Sequence, residues 1–143
     1  MALAILLKRI RQEGGDWRID SSGTWAYEGD PVAEKVQQVL VSRELELNEH
    51  HSKLVTYESL SSHNLILTME RGHKEALQAE FPQLSQRIFM LSEMIDLHYD
   101  IRDPYGGPLY EFEETANEIE HILTNGFEKI KKLASDPAPL VNI

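Results

Sequence analysis

Leu65-Ile66-Leu67-Thr68-Met69 is an almost continuous apolar run and the clearest strand in the chain. Its pattern suits a sheet buried on both faces rather than one with a wet side. A helical stretch follows from about Gly72 to Glu80, and Phe81-Pro82 ends it. Arg87-Ile88-Phe89-Met90-Leu91 reads as the next strand. Strand, helix and strand in that order predict a parallel sheet built from right-handed βαβ units and covered by helices. In such sheets ligands bind beyond the carboxyl ends of the strands, so the loops after Ser21, Met69 and Leu91 are expected to cluster, with the loop at Asp103 among them.

Upstream, residues 2–12 read as a helix with Leu3, Leu6, Leu7 and Ile10 on one face, stopped by Gly14-Gly15. Nothing before Met1 caps it, and a helix start with free N–H donors is a ready anion site. Trp17-Arg18-Ile19-Asp20-Ser21 reads as a short strand. Asp30 and Pro31 then open a second helix, whose stripe is Val32, Val36, Val39 and Leu40 and which runs to about Arg43. Leu47 to Val55 reads as irregular or extended, and Thr56 caps a short helical turn through Leu60. Downstream, the longest predicted helix spans Leu109 to Ala134, with Phe112, Ala116, Ile119, Leu123, Phe127, Ile130 and Leu133 at three- and four-residue steps. The acidic run Glu111, Glu113, Glu114, Glu118 and Glu120 is its solvated face. Asp136-Pro137-Ala138-Pro139 ends it.

Between the second strand and that helix lies Ile101-Arg102-Asp103-Pro104-Tyr105-Gly106-Gly107. Proline pushes Asp103 out of helical geometry, and the glycines let the chain turn sharply. A carboxylate on a stiff loop beside an aromatic can serve as a general acid over a flat substrate. The same residues also read as turn punctuation, and the segment alone leaves both readings open.

Composition narrows the function classes. The 143 residues fit one domain with a sizeable core, and the hydrophobic fraction of 41% is that of an ordinary globular protein. The formal charge of −10 opposes a nucleic-acid backbone or an anionic membrane as partner. No cysteine is present, which excludes disulfides, thiolate metal sites and a cysteine nucleophile from these residues. The apolar opening from Ala2 to Leu7 is too short to span a bilayer and lacks the features of a signal peptide, so a cytoplasmic protein is expected. His50-His51 point different ways and Glu120-His121 lacks a second histidine at metalloprotease spacing; neither a metal nor another cofactor is expected.

Five segments taken together resemble the low-molecular-weight protein tyrosine phosphatase family. They are Asp20-Ser21-Ser22-Gly23-Thr24, Tyr27-Glu28-Gly29-Asp30-Pro31, His50-His51-Ser52-Lys53, Leu65–Glu70, and Asp100-Ile101-Arg102-Asp103-Pro104-Tyr105-Gly106-Gly107. The resemblance covers nearly the whole chain, so one domain over 1–143 is expected. It implies a three-layer αβα fold with a four-stranded parallel sheet, and two-step hydrolysis of a phosphorylated protein through a phosphocysteine. By resemblance Asp103 is the general acid that protonates the leaving oxygen. Tyr105 and Tyr27 match positions that wall the pocket; Ser22 and His50 match positions that steady the phosphate loop.

The family's first strand and its loop of Cys, five residues, Arg and Ser are not among these residues. The chain opens at Met1-Ala2, as if cut at a methionine that follows that loop. Two explanations follow: a start assigned at an internal methionine, or a product that lacks the loop. The first is preferred for the gene, because the remaining chemistry residues are in place. The 143 residues themselves are predicted inactive by the family mechanism. The alternative function is a non-catalytic pseudophosphatase that serves as an interaction or ligand-binding module. In the family the missing strand lies between Trp17–Ser21 and Leu65–Met69. Weak stability, re-pairing, or self-association through unpaired strand edges is therefore expected.

The resemblance also bears on substrate. Tyrosine-directed members have two successive aromatics after Asp-Pro, whereas this chain has Tyr105 followed by Gly106-Gly107. That resembles a bacterial branch which includes protein arginine phosphatases, and leaves phosphotyrosine and phosphoarginine both open. The related arsenate reductases need several redox cysteines, so that branch is disfavoured.

Overall fold

The computed structural model describes residues 1–14, 17–22, 33–45 and 53–135. They form two compact units, one from Met1–Leu54 with Asp103–Thr124 and one from Val55–Arg102 with Asn125–Ile143.

The second unit carries the sheet. Strand β1 (Ile66–Thr68) and strand β2 (Ile88–Met90) pair in parallel, with Ile66 opposite Ile88 and Thr68 opposite Met90. The crossover contains a helix (Arg71–Glu80), so the predicted strand–helix–strand order is a βαβ unit. The strands are shorter than expected because each flank has other work. Pro82–Arg87 and Leu91–Ile95 are 3₁₀ segments that take Arg87 and Leu91 from the ends of β2. Arg87 is buried because its guanidinium donates to the carbonyls of Ser61 and His63, at 3.0 and 2.7 Å. A short helix (Tyr57–Ser61) precedes β1, and Thr56 caps it as expected. The Thr56 hydroxyl accepts the Ser59 N–H at 3.1 Å while Ser59 returns the bond, a complete capping box. Leu60, Ile66, Leu77, Leu84 and Ile88 form the local core, with Val55 and Phe81 packed on it. Each such side chain contributes about 2 kcal/mol by leaving water.

In chain order the helices are α1 (Ala2–Glu13), α2 (Glu34–Ser42), α3 (Tyr57–Ser61), α4 (Arg71–Glu80), α5 (Leu109–Asn125) and α6 (Phe127–Ser135). Gly14 ends α1 with φ 77°, its N–H bonding to the Ile10 carbonyl. The buried face of α1 is Ala4, Ile5 and Ile10, with Leu3, Leu6 and Leu7 only half-buried; the apolar stripe is rotated from the expected one. Helix α2 starts at Glu34 behind Ala33, later than the expected start at Pro31; Asp30, Pro31 and Val32 lie outside the described residues. It ends in a Schellman turn in which the Leu45 N–H reaches the Leu40 carbonyl and Glu44 takes φ 57°. Arg43 then joins this end to α5, donating to Glu120 at 2.7 Å and to the Asn117 side chain.

Two further expectations need correction. The predicted helix from Leu109 to Ala134 is two helices, because the chain breaks at Gly126, directly after Asn125, and α6 restarts with Ile130 N–H on the Gly126 carbonyl. Asparagine and glycine are weak helix formers, and side by side they let the ladder reset. The predicted strand at Trp17–Ser21 is not formed. Its burial alternates as a strand's would, with Trp17, Ile19 and Ser21 half-buried and Arg18 and Asp20 exposed. Here the Asp20 carboxylate accepts the Ser21 N–H at 2.8 Å, a local bond that competes with a ladder.

Candidate functional site

The loop after residue 102 is built by proline, glycine and one carboxylate. The Gly107 N–H donates to the Pro104 carbonyl at 2.9 Å, closing a four-residue turn. Gly106 stands third in that turn with φ 82°, the conformation a type II turn requires and one that a side chain disfavours. A Cβ on Gly107 would meet the Pro104 carbonyl oxygen at 3.0 Å and overlap the end of the Glu111 side chain. Gly106 is therefore needed by the backbone, and Gly107 stands close against the Pro104 carbonyl. Asp103 sits just ahead, and its Oδ1 accepts the Tyr105 N–H at 2.9 Å. This Asx turn orients the carboxylate through the backbone it precedes. Lys35 of α2 donates its ammonium to the Gly107 carbonyl at 2.5 Å, and the Glu111 N–H bonds to the Pro108 carbonyl as α5 begins.

Asp103 and Tyr105 are thus brought together by one turn, and both face solvent, Tyr105 being 84% exposed. Ser22 is exposed at the end of the 17–22 segment and shares no hydrogen bond with either. Tyr27 and His50 lie outside the described residues. Two cavities of about 290 and 340 Å³ border α1 and share Lys8, Gln12 and Leu45; neither is lined by Asp103, Tyr105 or Ser22. Among the described residues no group of three or more His, Asp or Glu is placed to hold a metal ion.

A second polar cluster sits at the carboxyl end of β2, and nothing in the sequence singled it out. Glu93 Oε2 accepts the Met90 N–H at 2.6 Å and the Lys74 ammonium at 2.9 Å, and Oε1 lies 3.7 Å from His98 Nδ1. Burial pushes the Glu93 carboxyl up. The Lys74 and Met90 hydrogen bonds and the charges of Lys74 and His98 outweigh it and hold the group below the ordinary carboxylate range. Lys129 of α6 donates to the Glu93 carbonyl and to Asp96, at 2.7 and 2.8 Å. The arrangement locks α4, β2 and α6 together within their unit.

Comparison with known proteins gives a consistent answer. The family model described as low molecular weight phosphotyrosine protein phosphatase matches residues 1–136. A protein-arginine-phosphatase of Bacillus subtilis is 28% identical over 133 residues, covering 92% of this chain and 88% of that protein. The crystal structure of a low molecular weight protein tyrosine phosphatase from T. tengcongensis superposes with a TM-score of 0.85 at 31% identity, covering 90% of this chain and 88% of that one. An arginine phosphatase solved as a cysteine-to-serine mutant, with its active-site serine phosphorylated, gives a TM-score of 0.86 at 27% identity, covering 92% and 86%. The likeness extends to α/β architecture as well as to sequence.

Proposed function

The chain belongs to the low molecular weight phosphotyrosine protein phosphatase family, and from that premise we propose that its residues form the acid and substrate-facing half of a protein phosphatase site. The observation that carries this reading is the Asp103-Pro104-Tyr105-Gly106-Gly107 turn, in which a solvent-facing carboxylate is oriented by the N–H of the aromatic beside it. Asp103 is the general acid, delivering a proton to the leaving group as the phosphorus bond breaks. Tyr105 and Tyr27 flank the substrate side chain, and Ser22 and His50 support the phosphate loop. The substrate is a phosphorylated protein, at tyrosine or at arginine. The single aromatic followed by Gly106-Gly107 leaves room beside the ring, and two of the relatives compared above are arginine phosphatases.

These 143 residues contain no cysteine, and so no thiolate to attack phosphorus. They do not by themselves complete the family's reaction. A second reading follows from the same absence: a non-catalytic module that binds phosphorylated protein. Cytoplasmic placement is part of the proposal; among the described residues no helix is long and apolar enough to cross a membrane. Self-association through a strand edge is proposed as well, since the described sheet holds two short strands. A sedimentation profile that stays monomeric at all concentrations breaks that last point.

The test compares the 143-residue chain on an aryl phosphate and on a phosphoarginine peptide. No turnover above the Asp103→Asn control is expected, and thiol-independent turnover would overturn the reading. The nucleotide sequence upstream of the Met1 codon separates the two readings. An in-frame Cys, five residues, Arg, Ser supports the enzyme, and an in-frame stop close by supports the binding module. In a product carrying such a loop, Asp103→Asn should lower kcat by roughly 10²–10⁴-fold.

A further inference from the structure

We propose that Asp100 is a positioning residue for the Asp103 loop: its carboxylate closes the uncapped start of α4 and so pins the chain just ahead of the acid. The proposal rests on the reading of Asp103 given above and names the residue that holds its loop in place.

The start of α4 poses the problem. Its N-cap, Glu70, has extended backbone (φ −123°, ψ 148°), and the Glu70 side chain makes no capping hydrogen bond. The first N–H groups of a helix have no partner inside it and carry its positive partial charge. One of them, Arg71 N–H, donates to Asp100 Oδ1 at 2.8 Å, from 29 residues further along the chain. A carboxylate at this end is favoured by the helix dipole, and its hydrogen bond is charge-assisted. Asp100 therefore serves as the cap that Glu70 does not supply.

Its two neighbours are fastened as well. Ile101, 1% exposed, donates its N–H to the Met69 carbonyl at 2.9 Å, one residue beyond the end of β1. On the other side, the Ser92 hydroxyl donates to the Tyr99 carbonyl at 2.9 Å and accepts the Tyr99 N–H at 3.1 Å. Ser92 has no exposed surface. Three consecutive residues are thus held by three different groups, and Arg102 and Asp103 after them are exposed. Of the three fastenings, Asp100 is the one made by a surface side chain, so it can be removed without opening a cavity. Its importance is geometric. A displacement of about 1 Å in a catalytic group costs on the order of 10²-fold in rate.

Nuclear magnetic resonance on the 143-residue chain tests this without any turnover measurement, so failure of Asp103 as an acid would not affect the result. In Asp100→Ala the Arg71 and Ile101 amides should exchange about tenfold faster. Backbone order parameters over residues 102–107 should fall towards about 0.6, from the ~0.85 of rigid backbone. Exchange at Phe81, at the far end of α4, and at Met90 should not change. Asp100→Asn, which keeps an acceptor oxygen, should restore most of the protection at Ile101. Faster exchange at Arg71 with Ile101 and residues 102–107 unaltered would overturn the proposal and leave Asp100 a helix cap only. A uniform rise that includes Phe81 and Met90 would also overturn it, as would no change at any of these amides.

Discussion

The stretch through β1 and the stretch Trp17–Ser22 share a burial rhythm and differ in what their backbones bond to. In the first, Ile66 and Thr68 are buried and Leu67 between them is half-buried. In the second, Trp17, Ile19 and Ser21 are half-buried and Arg18, Asp20 and Ser22 are exposed. Both rhythms have the period of two that a pleated chain imposes. Yet β1 has β2 alongside it in register, with α4 and the Glu93 cluster securing both, whereas the described bonds of 17–22 include the local one from Ser21 to Asp20 and a Lys53–Asp20 ion pair at 2.7 Å. The lesson is that alternation decides which side chains face inward. Pairing depends on the neighbour as well, so the same alternation can sit in a ladder or beside side-chain bonds.

The sharpest way to break this comparison is to remove equivalent apolar groups from each stretch. Ile88→Ala, at a fully buried ladder position, should cost about 2–5 kcal/mol in urea denaturation, because the cavity cannot collapse around a paired strand. Ile19→Ala, at a half-buried position outside the described ladder, should cost about 1 kcal/mol or less. Equal losses would mean that 17–22 is as firmly packed as β2.

A smaller effect comes from the lock at the end of β2. Glu93→Gln should cost about 2 kcal/mol near neutral pH, since it removes the charge from two hydrogen bonds in a mostly buried site. The sign with pH follows from the lowered Glu93 carboxyl. Unfolding restores its ordinary affinity for protons, so the stabilisation is fully present above the ordinary carboxylate range and is lost as pH falls through the lower folded value. A plot of unfolding free energy against pH should decline on the acid side, and Glu93→Gln should flatten that decline. An unchanged slope would remove Glu93 from the account of β2.

The smallest effect is expected in the 17–22 segment. Lys53→Ala breaks an ion pair whose side chains are 54% and 37% exposed, and should change stability by about 0.5 kcal/mol or less, less still in high salt. A larger, salt-resistant loss would show that this pair holds 17–22 as firmly as hydrogen bonding holds β1.

Much of the secondary structure was legible in the chain itself. The Thr56 cap, the Gly14 stop, β1 and the end of α4 at Phe81 all depend on residues within a few positions of one another, and local chemistry reports them. The readings that needed correction depend on something distant or on competition. The helix break at Gly126 is a contest between an apolar stripe that continues unbroken and two residues that propagate a helix poorly. The face of α1 turns towards Ala4 and Ile5, although leucines flank them, because position around the helix and not residue size decides burial. In the candidate site, the Asp103 turn is legible from proline and glycine alone. Tyr27 and His50 were named from the resemblance and fall outside the described residues. Ser92, Glu93 and Asp100 carry no motif that marks their roles. Their partners stand between 3 and 29 residues away and meet them only when the chain folds.

By itself, then, the amino-acid order determined the βαβ rhythm, the sharp loop that bears Asp103, the absence of a thiol and the family. All of these are functions of residue type and spacing, and folding cannot alter them. Tertiary structure alone decided which period-two segment became a strand and which carboxylate capped α4. It also decided that the Ile101 N–H meets the Met69 carbonyl just beyond β1. Each of those outcomes requires two groups far apart in the chain to come within hydrogen-bond distance, and a linear pattern has no means of recording that meeting.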